Sequence, residues 1–189
     1  MLMEKMQDGD FADIQEEVSG QSPAAQSCSA GKSAAEETSA ATQKALALLA
    51  RCEQCRSGLE RKLLQKGYSK DTVEGVLDAL EERGLLDDLR FARAWLNSRR
   101  IGHYEGRTRL LSELAARGIG KETAKKAVDA FFEEFDEEEI CARAVKKFLS
   151  QGKSGEKLMA SMIRAGFSFK MSQKAIKNLE ENLDSVRDF

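Results

Sequence analysis

The chain has 189 residues, a formal net charge of −2, one proline, two tyrosines and one tryptophan. So few aromatic and turn-forming residues, set among abundant Ala, Leu, Glu, Lys and Arg, exclude an all-β fold and favour an all-α one. No apolar run has the length of a bilayer span, and "MLMEKMQDGD" lacks the basic start and apolar stretch of a signal peptide, so a cytoplasmic protein without membrane contact is expected.

Residues 1–41 are rich in Ser, Ala, Gln, Gly and acid and show no sustained apolar period, which predicts a disordered tail. Within it, "MEKMQDGDFADIQEEV" has the pattern of a transient helix. "GKS" at 31–33 lacks the upstream glycine and the strand that a phosphate loop requires.

The first sustained helix pattern is "TQKALALLARCEQC", which ends on Cys52 and Cys55. Their spacing suits redox chemistry or zinc. A thioredoxin-like motif needs a βαβ setting, and zinc needs about four ligands, whereas no second cysteine pair exists and His103 is the only histidine. The pair therefore reads as two reduced thiols on one helix turn, with no metal and no cofactor.

Two more helices follow, and then the pattern repeats. Residues 57–83, "SGLERKLLQKGYSKDTVEGVLDALEER", align without gaps with 108–134, "TRLLSELAARGIGKETAKKAVDAFFEE", and a looser third copy occupies 156–182. In the first copy Leu59 and Leu63 share a helix face, and Gly67 sits where a left-handed residue stops the helix, with Tyr68 beyond it. Leu114–Gly118–Ile119 and Met162–Gly166–Phe167 repeat this stop. The next helix has Val73, Val76, Leu77 and Leu80 as its core, matched by Ala124, Ala127, Val128 and Phe131.

Gly84 predicts another stop, with Leu80 and Leu85 in contact across it. Asp87 then falls at the N-cap of a helix, Asp88 adds charge favourable to its dipole, and Leu86 and Phe91 have hydrophobic-staple spacing. Arg90 stands where a capping box has Glu or Gln. The aspartates are thus a helix start rather than a catalytic pair. That helix, "LRFARAWLNSRR", is expected to turn Phe91, Ala94 and Trp95 to the core. "EEEICARAVKKFLS" opens the third unit. A tail (1–41) and three tandem three-helix repeats (42–87, 88–135, 136–189), stacked into a curved elongated array, are the expected architecture.

"KLLQKGYSKDTVEGVLDALEERGLLDDLRFARAWLNSR" followed by "GRTRLLSELAARGIGKETAKKAV" closely resembles the RecX family of bacterial regulatory proteins, with "GLLDDLRFARAW" the most specific piece. The likeness runs over about 42–189. It implies a non-enzymatic modulator of the RecA recombinase that binds along the groove of the RecA filament on DNA and suppresses its ATPase, strand-exchange and co-protease activities. It also implies three tandem three-helix repeats.

Charge is unevenly placed. Residues 89–127 carry 10 basic and 3 acidic residues, residues 128–139 carry 7 acidic and no basic ones, and residues 140–189 carry 10 basic and 5 acidic. A basic block in an acidic chain suits a polyanion or an acidic protein groove. The candidate partner-binding residues are Arg90, Arg93, Arg99, Arg100, Arg107 and Arg109, then Lys121, Lys125 and Lys126, extended by Lys146, Lys147, Lys153 and Lys157. The run 97–109 is expected to form the main outward face, toward acidic recombinase surface, DNA phosphate or both. The protein is expected to be a monomer, with DNA bound weakly or within the filament. A stand-alone helical DNA-binding module is the alternative, and an enzyme using the cysteines or aspartates a third.

Overall fold

The computed structural model describes residues 33–100 and 102–187, with side chains described as far as residue 181. The tail over 1–32, its transient helix and most of "GKS" lie outside these residues. Among the described residues there are nine helices and no strand: α1 (Ala34–Leu49), α2 (Arg56–Gln65), α3 (Lys70–Glu82), α4 (Asp88–Arg99), α5 (Arg107–Ala116), α6 (Lys121–Glu134), α7 (Glu137–Ser150), α8 (Gly155–Arg164) and α9 (Phe169–Arg187). No helix among them is long and apolar enough to cross a membrane.

Two sequence expectations shift at the start. Helix α1 begins at Ala34, so residues 34–41 are helical rather than tail. Ser33 and Glu36 form a reciprocal capping box, which satisfies two amides at that end. The helix also stops at Leu49, so Cys52 and Cys55 do not share a helix turn. Cys52 lies in the connection and Cys55 is the N-cap of α2.

The glycine stops form as the spacing requires. Tyr68, Ile119 and Phe167 donate their amides to Leu63, Leu114 and Met162, and Leu85 donates to Leu80 at 2.9 Å. The anticipated core faces of α3 and α6 are all buried. Three buried clusters result, dominated in turn by α1–α3, α4–α6 and α7–α9. Burying a leucine or phenylalanine is worth about 1.5–3 kcal/mol, so each cluster carries its own helix triplet.

Around Asp87 the local readings divide. Its carboxylate accepts from the Leu89 and Arg90 amides, as an N-cap should. The staple is not made, because Leu86 belongs to the first cluster and Phe91 to the second. Leu85 is left exposed, and on α4 it is Ala92, not Ala94, that is buried beside Phe91 and Trp95.

Asp88 has a second function. It accepts the Arg56 amide at 2.8 Å, at the first residue of α2, whose own N-cap residue supplies no side-chain acceptor. One triplet therefore completes the helix end of the one before it. The same arrangement recurs downstream, where Glu137, first residue of α7, accepts the Arg107 amide at the start of α5.

The joints between triplets are correspondingly alike. The start of α2 meets the turn after α5, with the Cys55 thiol donating to the Arg117 carbonyl at 3.3 Å and the Ser57 hydroxyl to the Gly118 carbonyl at 3.4 Å. The start of α5 meets the turn after α8 through backbone alone: Gly106 donates to the Ala165 carbonyl at 2.8 Å and Thr108 to the Gly166 carbonyl at 3.3 Å. This contact is so close that a Cβ on Gly106 would lie 2.5 Å from the Gly166 oxygen. Gly166 is needed twice over, since its φ is +92° and a Cβ there would lie 2.5 Å from the Cβ of Arg109.

Candidate functional site

The basic residues of α4–α7 divide into those the fold holds and those it leaves free. Arg90 is held. Its Nε pairs with Glu53 at 2.8 Å, and its two terminal nitrogens donate to the carbonyls of Gly84 and Leu85 at 2.9 Å each. This explains why α4 lacks the capping-box acid at that position: the arginine folds back and satisfies the carbonyls left by the glycine stop.

Within the run 97–109 the arginines are paired or stacked, although Arg100 and Arg109 are exposed. Arg99 grips Glu105 through Nε and Nη2, at 3.0 and 2.8 Å, and lies over the Trp95 ring. Arg107 pairs with Asp129, faces Glu137 at 3.6 Å and covers the Phe132 ring. Arg109 pairs with Glu113 at 2.5 Å. Arg100 is exposed but lies 5.0 Å over the Phe135 ring. The physical reason is proximity. The acidic stretch 128–139 runs from the middle of α6 into α7, and Asp129 and Glu137 both reach the start of α5.

Arg107 also has a counterpart. Arg56, at the same place in the first triplet, pairs with Asp78 at 2.7 Å and with Glu81 at 2.6 Å. Asp78 and Asp129 are identical positions in the repeat alignment. Extending that alignment one residue upstream, to Arg56 over Arg107, makes these arginines parts of the repeat, each paired to the aspartate of the helix that follows. The third triplet has Gly155 at this position.

Arg117, absent from the sequence-based set, completes the cluster. It pairs with Glu113 at 2.8 Å and stacks 4.6 Å from the centre of Trp95, on which Arg99 also lies. Burial pushes the Glu113 carboxyl up. The Arg117 hydrogen bond and the charges of Arg109, Arg117 and Arg99 outweigh it, so the carboxyl is held below the usual carboxylate range. Lys147 donates to the Gly102 carbonyl at 2.7 Å and lies over Tyr104, while Lys153 lies over Phe148.

Arg93 on α4, Lys121, Lys125 and Lys126 on α6, Lys146 on α7 and Lys157 on α8 are different. Each is exposed, and among the described residues none has a carboxylate partner. Lys125 and Lys126 stand opposite the buried stripe Ala124, Ala127 and Val128, so packing of α6 against α4 turns both lysines outward. Recruiting Arg99 or Arg107 to a partner means breaking charge-assisted bonds first, whereas these six engage an anion without that cost. Among the described residues no group of acids, cysteines and histidine is arranged to hold a metal ion.

Comparison with known proteins fits this architecture. Residues 41–80 match a family model described as the first three-helix domain of RecX, and residues 87–128 match the second. The regulatory protein RecX of Treponema pallidum (strain Nichols) is 40% identical over 124 residues, which cover 66% of this chain and 76% of the relative. That of Thermobifida fusca is 33% identical over 155 residues, covering 78% and 83%. The fold matches a crystal structure of RecX from Lactobacillus salivarius with a TM-score of 0.67 at 20% identity, covering 77% of this chain and 98% of that one. A second crystal structure, of regulatory protein RecX, gives a TM-score of 0.68 at 19% identity, covering 76% and 73%. With its glycine-stopped triplets, its Asp87 helix start and this degree of identity, the chain belongs to the RecX family.

Proposed function

We propose that the chain binds in the groove of the RecA recombinase filament on DNA and inhibits its ATPase, strand-exchange and co-protease activities. It acts as a regulatory protein rather than as an enzyme, and as a monomer. The three helical repeats, the first opening with α1 at Ala34 and the others starting at about 88 and 136, are its units of contact. Kinship with proteins called regulatory protein RecX supports the reading. The structural observation behind the contact surface is a set of exposed cations without a carboxylate partner among the described residues: Arg93, Lys121, Lys125, Lys126, Lys146 and Lys157.

These cations would meet acidic recombinase surface or DNA phosphate within the filament. Arg90, Arg99, Arg107 and Arg109 then serve mainly to shape the scaffold behind them. The test is the DNA-dependent ATPase of the cognate RecA with and without this chain, repeated with Lys121, Lys125 and Lys126 all changed to Glu. Suppression by the wild type and its loss in the triple variant are expected. An unchanged ATPase with wild-type protein refutes the function, and full suppression by the triple variant refutes the surface. Salt-sensitive binding to naked DNA, without an effect on the ATPase, is the outcome that favours a stand-alone DNA-binding module.

A further inference from the structure

The "CEQC" segment carries chemistry that recombinase binding does not use. Cys52 is exposed, and its sulfur receives the Gln54 amide nitrogen at 2.8 Å. Gln54 is itself 92% buried, and its oxygen accepts from the Lys62 ammonium at 2.7 Å. The chain of contacts from Lys62 through Gln54 therefore fixes the Cys52 sulfur at an exposed position of the connection before α2. Three residues on, Cys55 is buried in the second triplet's cluster although it belongs to the first, and its thiol donates to the Arg117 carbonyl across the joint. Burial raises the Cys55 thiol above its ordinary range, more than the Gly58 amide lowers it.

We propose that Cys52 is a site of thiol–disulfide exchange with a low-molecular-weight disulfide, and that Cys55 resolves it, so that oxidation undoes the joint between the first and second triplets. The Cys52 thiolate attacks one sulfur of the disulfide, forms a mixed disulfide and expels one thiolate. The Cys55 thiolate then attacks the Cys52 sulfur and expels the second. Two cysteine thiols lose two electrons, the small disulfide gains them, and the two cysteine protons end on the two released thiols. Cys55 cannot both bond Cys52 and donate to Arg117, because its only S–H proton is gone.

The joint is suited to respond. Its two triplet-to-triplet contacts at the α5–α6 turn are side-chain bonds of 3.3 and 3.4 Å, whereas the joint to the third triplet uses backbone amides. Trp95, the only tryptophan of the chain, stacks against Arg117 and so reports on this joint.

The experiment uses the full chain in a Cys28→Ser background, titrated with oxidised glutathione. Expected are the loss of two free thiols, a Cys52–Cys55 disulfide in the digested protein, and a red shift of Trp95 emission reversed by dithiothreitol. With Cys52→Ser neither change occurs. With Cys55→Ser a glutathionyl group stays on Cys52 and the emission does not move. If both thiols stay free under oxidised glutathione, if Cys52→Ser reacts as the parent does, or if the disulfide forms without moving the emission, the proposal falls.

Discussion

Gly67 and Gly166 occupy the same turn in different triplets, and changing each to alanine separates two physical costs. Both have positive φ, +86° and +92°. A Cβ on Gly67 meets nothing within 4 Å, while one on Gly166 lands on the backbone and side chain of Arg109 and 2.9 Å from the Gly106 carbonyl. The left-handed conformation costs alanine about 1–2 kcal/mol, offset by about 0.4–1 kcal/mol from the stiffer unfolded chain. Gly67→Ala should therefore cost about 1 kcal/mol. Gly166→Ala must in addition open the joint and lose the Gly106–Ala165 and Thr108–Gly166 hydrogen bonds, each worth about 1 kcal/mol net. Its total comes to about 3 kcal/mol. Urea unfolding followed by circular dichroism reads the difference. With a slope of about 2 kcal/mol per molar, the midpoint falls by about 0.5 M for Gly67→Ala and about 1.5 M for Gly166→Ala. Equal shifts would show that the contact at the third triplet contributes nothing, and the account of the joints would fail.

Other outcomes follow from the same geometry. Asp87→Ala should cost about 1 kcal/mol in urea unfolding, as a lost N-cap does, while Asp87→Asn is tolerated because it keeps the acceptor. Arg107→Ala should lower the urea midpoint more than Lys125→Ala, while Lys125→Ala weakens RecA suppression more at equal folded concentration. Glu113 has a depressed carboxyl pKa, so its contribution is fully present above its unfolded value of about 4.3 and is lost as pH falls through the folded value. The midpoint gap between wild type and Glu113→Gln should thus be constant near neutrality and close in acid. Cys141 is fully buried and its thiol is pushed up to about 12 by burial and by Glu137 and Glu138. At pH 8 iodoacetamide should label Cys52 in the folded chain and reach Cys141 only in denaturant.

The fold was legible because its main signals are local. Leu63, Gly67 and Tyr68 lie close together along the chain, so spacing alone defines the stop, and three copies in register remove the ambiguity of one. Helix starts were less legible. Ser33 and Glu36 form a capping box, but the Ser- and Ala-rich composition around them also fits a tail. The partner surface was the least legible. A count of arginines between 97 and 109 cannot show that Asp129 and Glu137, 22 and 30 residues further on than Arg107, return to neutralise it. Arg90 carried a readable signal, as an arginine where the helix start calls for an acid, though its carbonyl partners emerge only once the turn is built.

The acids at the starts of α4 and α7 also bear on how the chain matures. Helix α2 takes its missing acceptor from Asp88, and α5 takes its from Glu137, residues that leave the ribosome 32 and 30 positions later. During synthesis the first and second triplets therefore each emerge with one amide orphaned until the next triplet arrives, and their assembly trails translation by one unit. In the third triplet, α8 begins on a Ser154–Gly155 step with no side-chain cap. Amide exchange should be faster at the start of α8 than at the starts of α2 and α5, whose first amides have acceptors from the next triplet.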